Sequence, residues 1–191
     1  GDIITVRQQV PLGLGHAILV AKPALRDEPF AVCLPDDIIL SESSTIGMMM
    51  DIYSQHERSI IAVKEVPKSA VSSLGIVDPV HIDDSLSRII GMIEKPRLED
   101  APSNLAIVGR YVLTPDILET LERVQPGALG EIQLTDAIAA LLPRQEAYAY
   151  RFAGVHFDVG TPLGTLKAST YVALEQPGIA SKLREWLADT L

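Results

Sequence analysis

The chain has 191 residues, of which 47% are hydrophobic and 21% charged, and it carries a formal net charge of −9 at pH 7. This composition fits a globular protein with a sizeable core and argues against intrinsic disorder. No apolar run reaches the length of a membrane span, and no basic stripe marks a nucleic-acid partner. The single cysteine, Cys33, cannot form an internal disulfide. Within the apolar run 30–34 it reads as a buried core residue and points to a reducing, cytoplasmic setting.

Residues 3–6 are β-branched and short, which predicts a strand. Pro11, Gly13 and Gly15 then interrupt the chain and feed a helix from Ala17 to Ala21. A glycine-rich turn before a helix can bring backbone amides close to an anion, or it can simply join two elements. Residues 30–34 are apolar on both faces and predict a central strand of a parallel sheet. Pro35, Asp36 and Asp37 follow, at the strand end where ligands gather in open α/β sheets. Two carboxylates there suit a divalent cation, and they equally suit the cap of the next element.

Residues 45–57 predict a helix with Met48, Met49, Ile52 and Tyr53 on its buried stripe. Strands are predicted over 59–66, over 71–78 with Gly75 inside, over 88–94, and over 105–113. A glycine within a strand often marks close approach of a ligand or another backbone. Helices are predicted from Pro115 to Val124 and over 130–142. A strand over 147–152 precedes Asp158, which leaves an apolar segment and meets Gly160 and Pro162. Helices over 163–175 and 179–191 end the chain, the last containing Trp186. One domain spanning residues 1–191 is expected, with no repeat and no linker.

The most informative stretch is Ile93-Glu94-Lys95-Pro96. Consecutive strand residues point to opposite faces, but a bend at Pro96 could turn acid and base into one cleft. An acid there can accept from sugar hydroxyls, and a lysine can sit against phosphate oxygens. No Gly-x-Ser-x-Gly elbow, zinc spacing or Gly-Lys-Ser/Thr phosphate loop is present, so a covalent nucleophile has no candidate.

In order, these segments resemble a family. They are Gln8 with Pro11 and Gly13-Leu-Gly-His-Ala17, then Leu34-Pro-Asp36-Asp37, then Leu74-Gly75-Ile-Val-Asp78, then Ile93-Glu-Lys-Pro96, then Ser103-Asn-Leu-Ala-Ile-Val-Gly-Arg-Tyr111, then Gly130-Glu-Ile-Gln-Leu-Thr-Asp136, then Phe157-Asp-Val-Gly160. Together they are similar to the bacterial UTP–glucose-1-phosphate uridylyltransferases, which are sugar nucleotidyltransferases. The likeness runs from Ile3 to about Glu175. It favours these enzymes over their thymidylyltransferase relatives.

The resemblance implies a mixed, mostly parallel open α/β sheet flanked by helices, Rossmann-like, with its amino-terminal strands missing. Gln8 and the Gly13 backbone would read uracil. Asp36 and Asp158 would hold Mg²⁺, with Asp36 and Lys95 as the catalytic pair. Gly75 would let the sugar ring approach, Glu94 would bind its hydroxyls, Lys95 would contact its phosphate, and Ile107 would line the pocket. Asp37 would reach a sugar hydroxyl. The implied partners are UTP, glucose 1-phosphate and UDP-glucose, and the implied assembly is a homodimer or homotetramer in the cytoplasm.

The family's amino-terminal Gly-x-Gly-Thr-Arg loop has no counterpart in this sequence. The chain opens without a methionine, and it is expected to be the carboxyl-terminal two thirds of such a domain. Little turnover is then expected of it alone. The alternatives are a thymidylyltransferase relative, or a UDP-sugar-binding relative or fragment without catalysis that lacks the triphosphate loop.

Overall fold

A computed structural model describes residues 2–127 and 130–190. In chain order the elements are α1 (Leu14–Ala21), β1 (Phe30–Cys33), β2 (Asp37–Leu40), α2 (Thr45–His56), β3 (Ser59–Glu65), β4 (Gly75–His81), β5 (Leu86–Glu94), β6 (Leu105–Leu113), α3 (Asp116–Arg123), α4 (Leu134–Leu141), β7 (Ala147–Arg151), β8 (Val155–Asp158), α5 (Pro162–Glu175) and α6 (Pro177–Thr190). The chain divides into two compact units. The first holds Gly1–Val32 and Ser43–Phe152, and the second holds Cys33–Glu42 and Ala153–Leu191.

The first unit is built on a six-stranded sheet in the order β1-β6-β3-β7-β5-β4, with one further bridge from β4 to β6 at Ile76 and Ala106. β3 is buried along its first five residues, as a strand covered on both faces must be. Helices α3 and α4 pack on this sheet. Ile117, Leu118 and Leu121 of α3 and Leu134, Ala137, Ile138 and Leu141 of α4 are buried with Ile61, Val63, Val77 and Leu113. Asp116 and Glu119 in the first turn of α3 and Arg123 in its last complement the helix dipole. Helix α1 lies so close to α3 that a Cβ on Gly15 would sit 2.7 Å from Leu121 Cδ2.

The β4–β5 hairpin brings Gly75 and Glu94 side by side. Its register pairs Gly75 with Glu94 at one end and His81 with Ser87 at the other. The turn is pinned by Asp83, whose Oδ1 accepts from the Ser85 amide at 2.7 Å, the Leu86 amide at 2.8 Å and the Ser85 hydroxyl at 3.0 Å. The Ser85 and Leu86 amides, aided by the hydroxyl, hold the Asp83 carboxyl below its usual pKa.

The second unit pairs β2 with β8 antiparallel, Asp37 opposite Asp158, and carries α5 and α6. Thr161 caps α5 by accepting from the Gly164 amide at 3.1 Å. Tyr171 of α5 packs on Phe157 of β8, with ring centroids 5.4 Å apart.

Several expectations are corrected. The sheet is flanked by helices and mixed as expected, but it is not mostly parallel. β3–β7 is parallel, whereas β3–β6, β4–β5, β4–β6 and β5–β7 are antiparallel. The short connection at residues 82–85 cannot carry a parallel crossover, so β4 and β5 must run antiparallel. β1 is not central: it ends the sheet beside β6, alternates half-buried and exposed residues, and leaves Cys33 exposed rather than buried. Residues 3–6 form no strand, and Ile3 and Ile4 are exposed. α4 starts at Leu134, not at residue 130, because Gly130 adopts a φ of 73° in a turn. Leu191, expected to close the last helix, lies outside the described residues.

Leu121 is fully buried between α1 and the sheet-packed helices. Leu121→Ala should therefore lower the unfolding free energy by about 2–5 kcal/mol in a denaturant titration with an unchanged m-value. Asp83 has a depressed carboxyl pKa, so its stabilisation is present above the ordinary value of 3.8 and fades as pH falls through the lower folded value. The stability gap between the parent and Asp83→Ala should shrink below about pH 4, and a gap that stays constant down to pH 2 would remove that carboxylate from the turn.

Candidate functional site

In the first unit, three side chains converge on Gly75. Gly75 is buried, and a Cβ there would lie 2.8 Å from Ile107 Cδ1, 3.0 Å from Glu94 Oε2 and 3.1 Å from Thr135 Oγ1. The space is open because residue 75 has no side chain. Glu94 comes from the end of β5, Ile107 from β6, and Thr135 from the first turn of α4. Thr135 Oγ1 donates to Glu94 Oε2 at 2.8 Å.

Lys95 leaves the strand with a φ of 48°, a conformation that side-chain-bearing residues seldom adopt. Its amide donates to the Leu74 carbonyl at 3.1 Å, and Pro96 behind it is buried. This bend breaks the alternation of strand side chains. Lys95 Nζ comes to 3.9 Å from Glu94 Oε1, so acid and base share one side. Residues held in sparsely populated backbone conformations cluster at functional sites.

The glycine-rich turn is clamped by backbone bonds. The Gly15 amide donates to the Ile132 carbonyl at 2.9 Å, and the Ile132 amide donates to the Leu12 carbonyl at 2.8 Å. Gly13 has a φ of 92°, and a Cβ on it would press on Glu131 Cβ at 2.9 Å and the Ile132 carbonyl at 3.0 Å. Only glycine meets both demands comfortably. Gln8 Nε2 lies 3.2 Å from the Gly13 carbonyl and 2.8 Å from His16 Nδ1. Giving both its hydrogens to these acceptors leaves the Gln8 amide oxygen as an acceptor for a ligand donor.

In the second unit, Asp36 and Asp158 meet. Asp158 ends β8, and Asp36 stands just before β2 at the same end of the pair. The Val159 amide donates to the Asp36 carbonyl at 2.7 Å, and the Gly160 amide donates to Asp158 Oδ1 at 2.9 Å. A Cβ placed on Gly160 would lie 3.1 Å from both Asp158 Oδ1 and Asp36 Oδ2. The two carboxylate oxygens therefore flank one point, and both side chains are exposed. Among the described residues no group of three or more His, Cys, Asp or Glu forms a metal cage. Two hard oxygen donors with open positions fit an ion such as Mg²⁺, which keeps waters and substrate oxygens among its ligands.

Asp37 points to a different partner. Its Oδ1 meets His156 Nε2, and both side chains are largely buried. Sequence reasoning named neither His156 nor Thr135 as a functional residue. Thr135 sits inside the quoted Gly130-to-Asp136 segment, and its hydroxyl gains meaning only when α4 is docked beside β5.

The sequence matches a family model for nucleotidyl transferases over residues 2–174. A UTP–glucose-1-phosphate uridylyltransferase of Staphylococcus epidermidis is 45% identical over 186 residues, which cover 97% of this chain and 65% of that protein. A UDP-glucose pyrophosphorylase solved in complex with UDP-glucose superposes with a TM-score of 0.86 at 40% identity, covering 90% of this chain and 66% of that one. A UTP-bound UGPase from Acinetobacter baumannii gives a TM-score of 0.85 at 39% identity, covering 98% of this chain and 65% of that one. The chain thus spans about 65% of the length of the curated relative it matches. With a helix-flanked mixed sheet in place and the family match running through both units, the chain belongs to the nucleotidyl transferase family.

Proposed function

We propose that this chain supplies the sugar-phosphate, uracil and divalent-cation groups of a UTP–glucose-1-phosphate uridylyltransferase. The observation that carries this reading is the convergence of Gly75, Glu94, Lys95 and Ile107. A side-chain-free floor, an acceptor for hydroxyls and a cation for phosphate lie within one short radius. The named relatives, one solved with UDP-glucose and one with UTP, support the choice of substrate.

In the proposed reaction a phosphate oxygen of glucose 1-phosphate attacks the α-phosphorus of UTP. A new P–O bond forms as the bond from the α-phosphorus to the bridging oxygen of pyrophosphate breaks. The nucleophile arrives ionised, so no side chain has to remove a proton. The work of the protein is positioning and charge neutralisation. Glu94 accepts from sugar hydroxyls, Lys95 lies against the sugar phosphate, and Ile107 packs on the ring. Gln8 and the Gly13 backbone read the base. Asp36 and Asp158 hold Mg²⁺, which when bound offsets phosphate charge; Asp37 is the further candidate for a sugar hydroxyl.

No helix among the described residues is long and apolar enough to cross a membrane. A reading as a cytoplasmic homodimer or homotetramer is supported by the cysteine-poor composition and by exposed apolar side chains such as Ile179 and Trp186 on α6.

Isothermal calorimetry on this chain tests the proposal. UDP-glucose should bind more tightly than UDP, more tightly than dTDP-glucose, and more tightly with Mg²⁺ than without. Lys95→Ala should weaken glucose 1-phosphate binding roughly ten-fold, the scale of one charge-assisted hydrogen bond. Equal affinity for UDP and UDP-glucose would overturn the sugar site. In the same titrations, Asp36→Asn and Asp158→Asn should each abolish the Mg²⁺ enhancement. An enhancement that survives both changes would remove them as ligands.

A further inference from the structure

We infer that Thr135 is a positioning residue for sugar recognition, setting the Glu94 carboxylate through its hydroxyl and thereby keeping Lys95 available to phosphate. This inference rests on the uridylyltransferase reading and deepens it.

The terminal torsion of a glutamate is broad and roughly two-fold, so an isolated carboxylate spins easily. At Glu94 that freedom has a specific hazard. Lys95 Nζ already stands at ion-pair distance, 3.9 Å from Oε1, and a small rotation would tighten this loose pair into a direct hydrogen bond. A lysine drawn into such a pair would be turned from a ligand phosphate, and the glutamate would lose lone pairs needed for hydroxyls.

Thr135 opposes this. Its hydroxyl donates to Oε2 at 2.8 Å and fixes that oxygen beside Gly75. Thr135 itself is buried, in the first turn of α4, where the helix is anchored by the core residues Leu134, Ala137 and Ile138. As a β-branched residue it has few side-chain states. The Glu94 carboxylate also faces the start of α4, where the helix dipole favours an anion. One buried rigid donor thus holds a partly exposed, flexible acceptor. Oε1 and the second lone pair of Oε2 remain for two sugar hydroxyls.

The role differs from plain packing. Thr135→Val keeps the shape and removes the donor, so fold and melting temperature should hold while sugar affinity falls. Thr135→Ser restores a donor without the methyl group. Calorimetry on the full chain with UDP and UDP-glucose separates the sugar from the nucleotide. The expected result is a roughly ten-fold loss of UDP-glucose affinity in Thr135→Val, unchanged UDP affinity, and recovery of most of the loss in Thr135→Ser. In a Glu94→Ala background, Thr135→Val should add little, because the acceptor it serves is gone.

Parent-like UDP-glucose affinity in Thr135→Val would overturn the inference. So would equal losses for UDP and UDP-glucose, or a full additional loss in the Glu94→Ala background. A parent chain that binds UDP and UDP-glucose alike is a different failure: it sinks the uridylyltransferase reading, and the role of Thr135 falls with it.

Discussion

The geometry around Gly75 depends on the register of one hairpin. Pairing Gly75 with Glu94 places a residue without a side chain directly opposite the acid. Any Cβ at residue 75 would fall within 3.1 Å of Ile107, Glu94 and Thr135 together, so the open space is a product of that one pairing. A one-residue slip would send Glu94 to the other face of the sheet and bring Ile76, which is fully buried, into its place. The turn held by Asp83 at the far end of the hairpin and the bulge between Asp78 and Pro79 therefore bear on chemistry several residues away.

The second unit reaches a similar end by a similar device. Two short antiparallel strands bring Asp37 opposite Asp158, and the residue just before the first strand then lies beside the residue that ends the second. The chain positions separate Asp36 from Asp158 by most of the molecule, yet one pair of strands and one backbone bond from Val159 set them side by side. A Cβ on Gly164 would overlap the Asp158 carbonyl, so the first turn of α5 packs directly on the backbone that carries this carboxylate.

Much of this was legible in the sequence, and what was not has physical causes. Glu94-Lys95-Pro96 was readable because a proline after a charged pair signals a bend. The structure supplies the bend at Lys95, with its φ of 48°, rather than at the proline itself. Gly75 inside an apolar strand announced a close approach, although not to which side chains. Misreadings fell where pattern lacks context. Residues 30–34 look central because they are apolar throughout, but a strand's place in a sheet is decided by its neighbours, and β1 has its exposed alternate residues at the end of the order. Ile3 and Ile4 have strand propensity, which expresses a fit to a pleated, half-buried surface rather than a backbone preference. Thr135 could not be ranked from sequence at all. A threonine in the first turn of a helix is commonplace until another element delivers a carboxylate to its hydroxyl.

Electrostatics shows why these small contacts matter in so acidic a chain. A net charge of −9 opposes polyphosphate ligands only at long range, because salt screens exposed charges beyond about 8 Å at physiological ionic strength. What a ligand phosphate meets is local. Near Gly75 the local groups are Glu94 and Lys95, of opposite sign and adjacent in sequence, and a closed pair would present almost no field. The pair is instead loose, at 3.9 Å rather than hydrogen-bond distance: Glu94 is tied back by a buried hydroxyl, and Lys95 is turned by its own backbone and remains half-exposed. Acid and base can then address different parts of one ligand, hydroxyls on one side and phosphate on the other. A sugar phosphate carries both kinds of group on neighbouring atoms, so an acid and a base set side by side on one ledge match its chemistry better than that of a plain sugar or a plain phosphate.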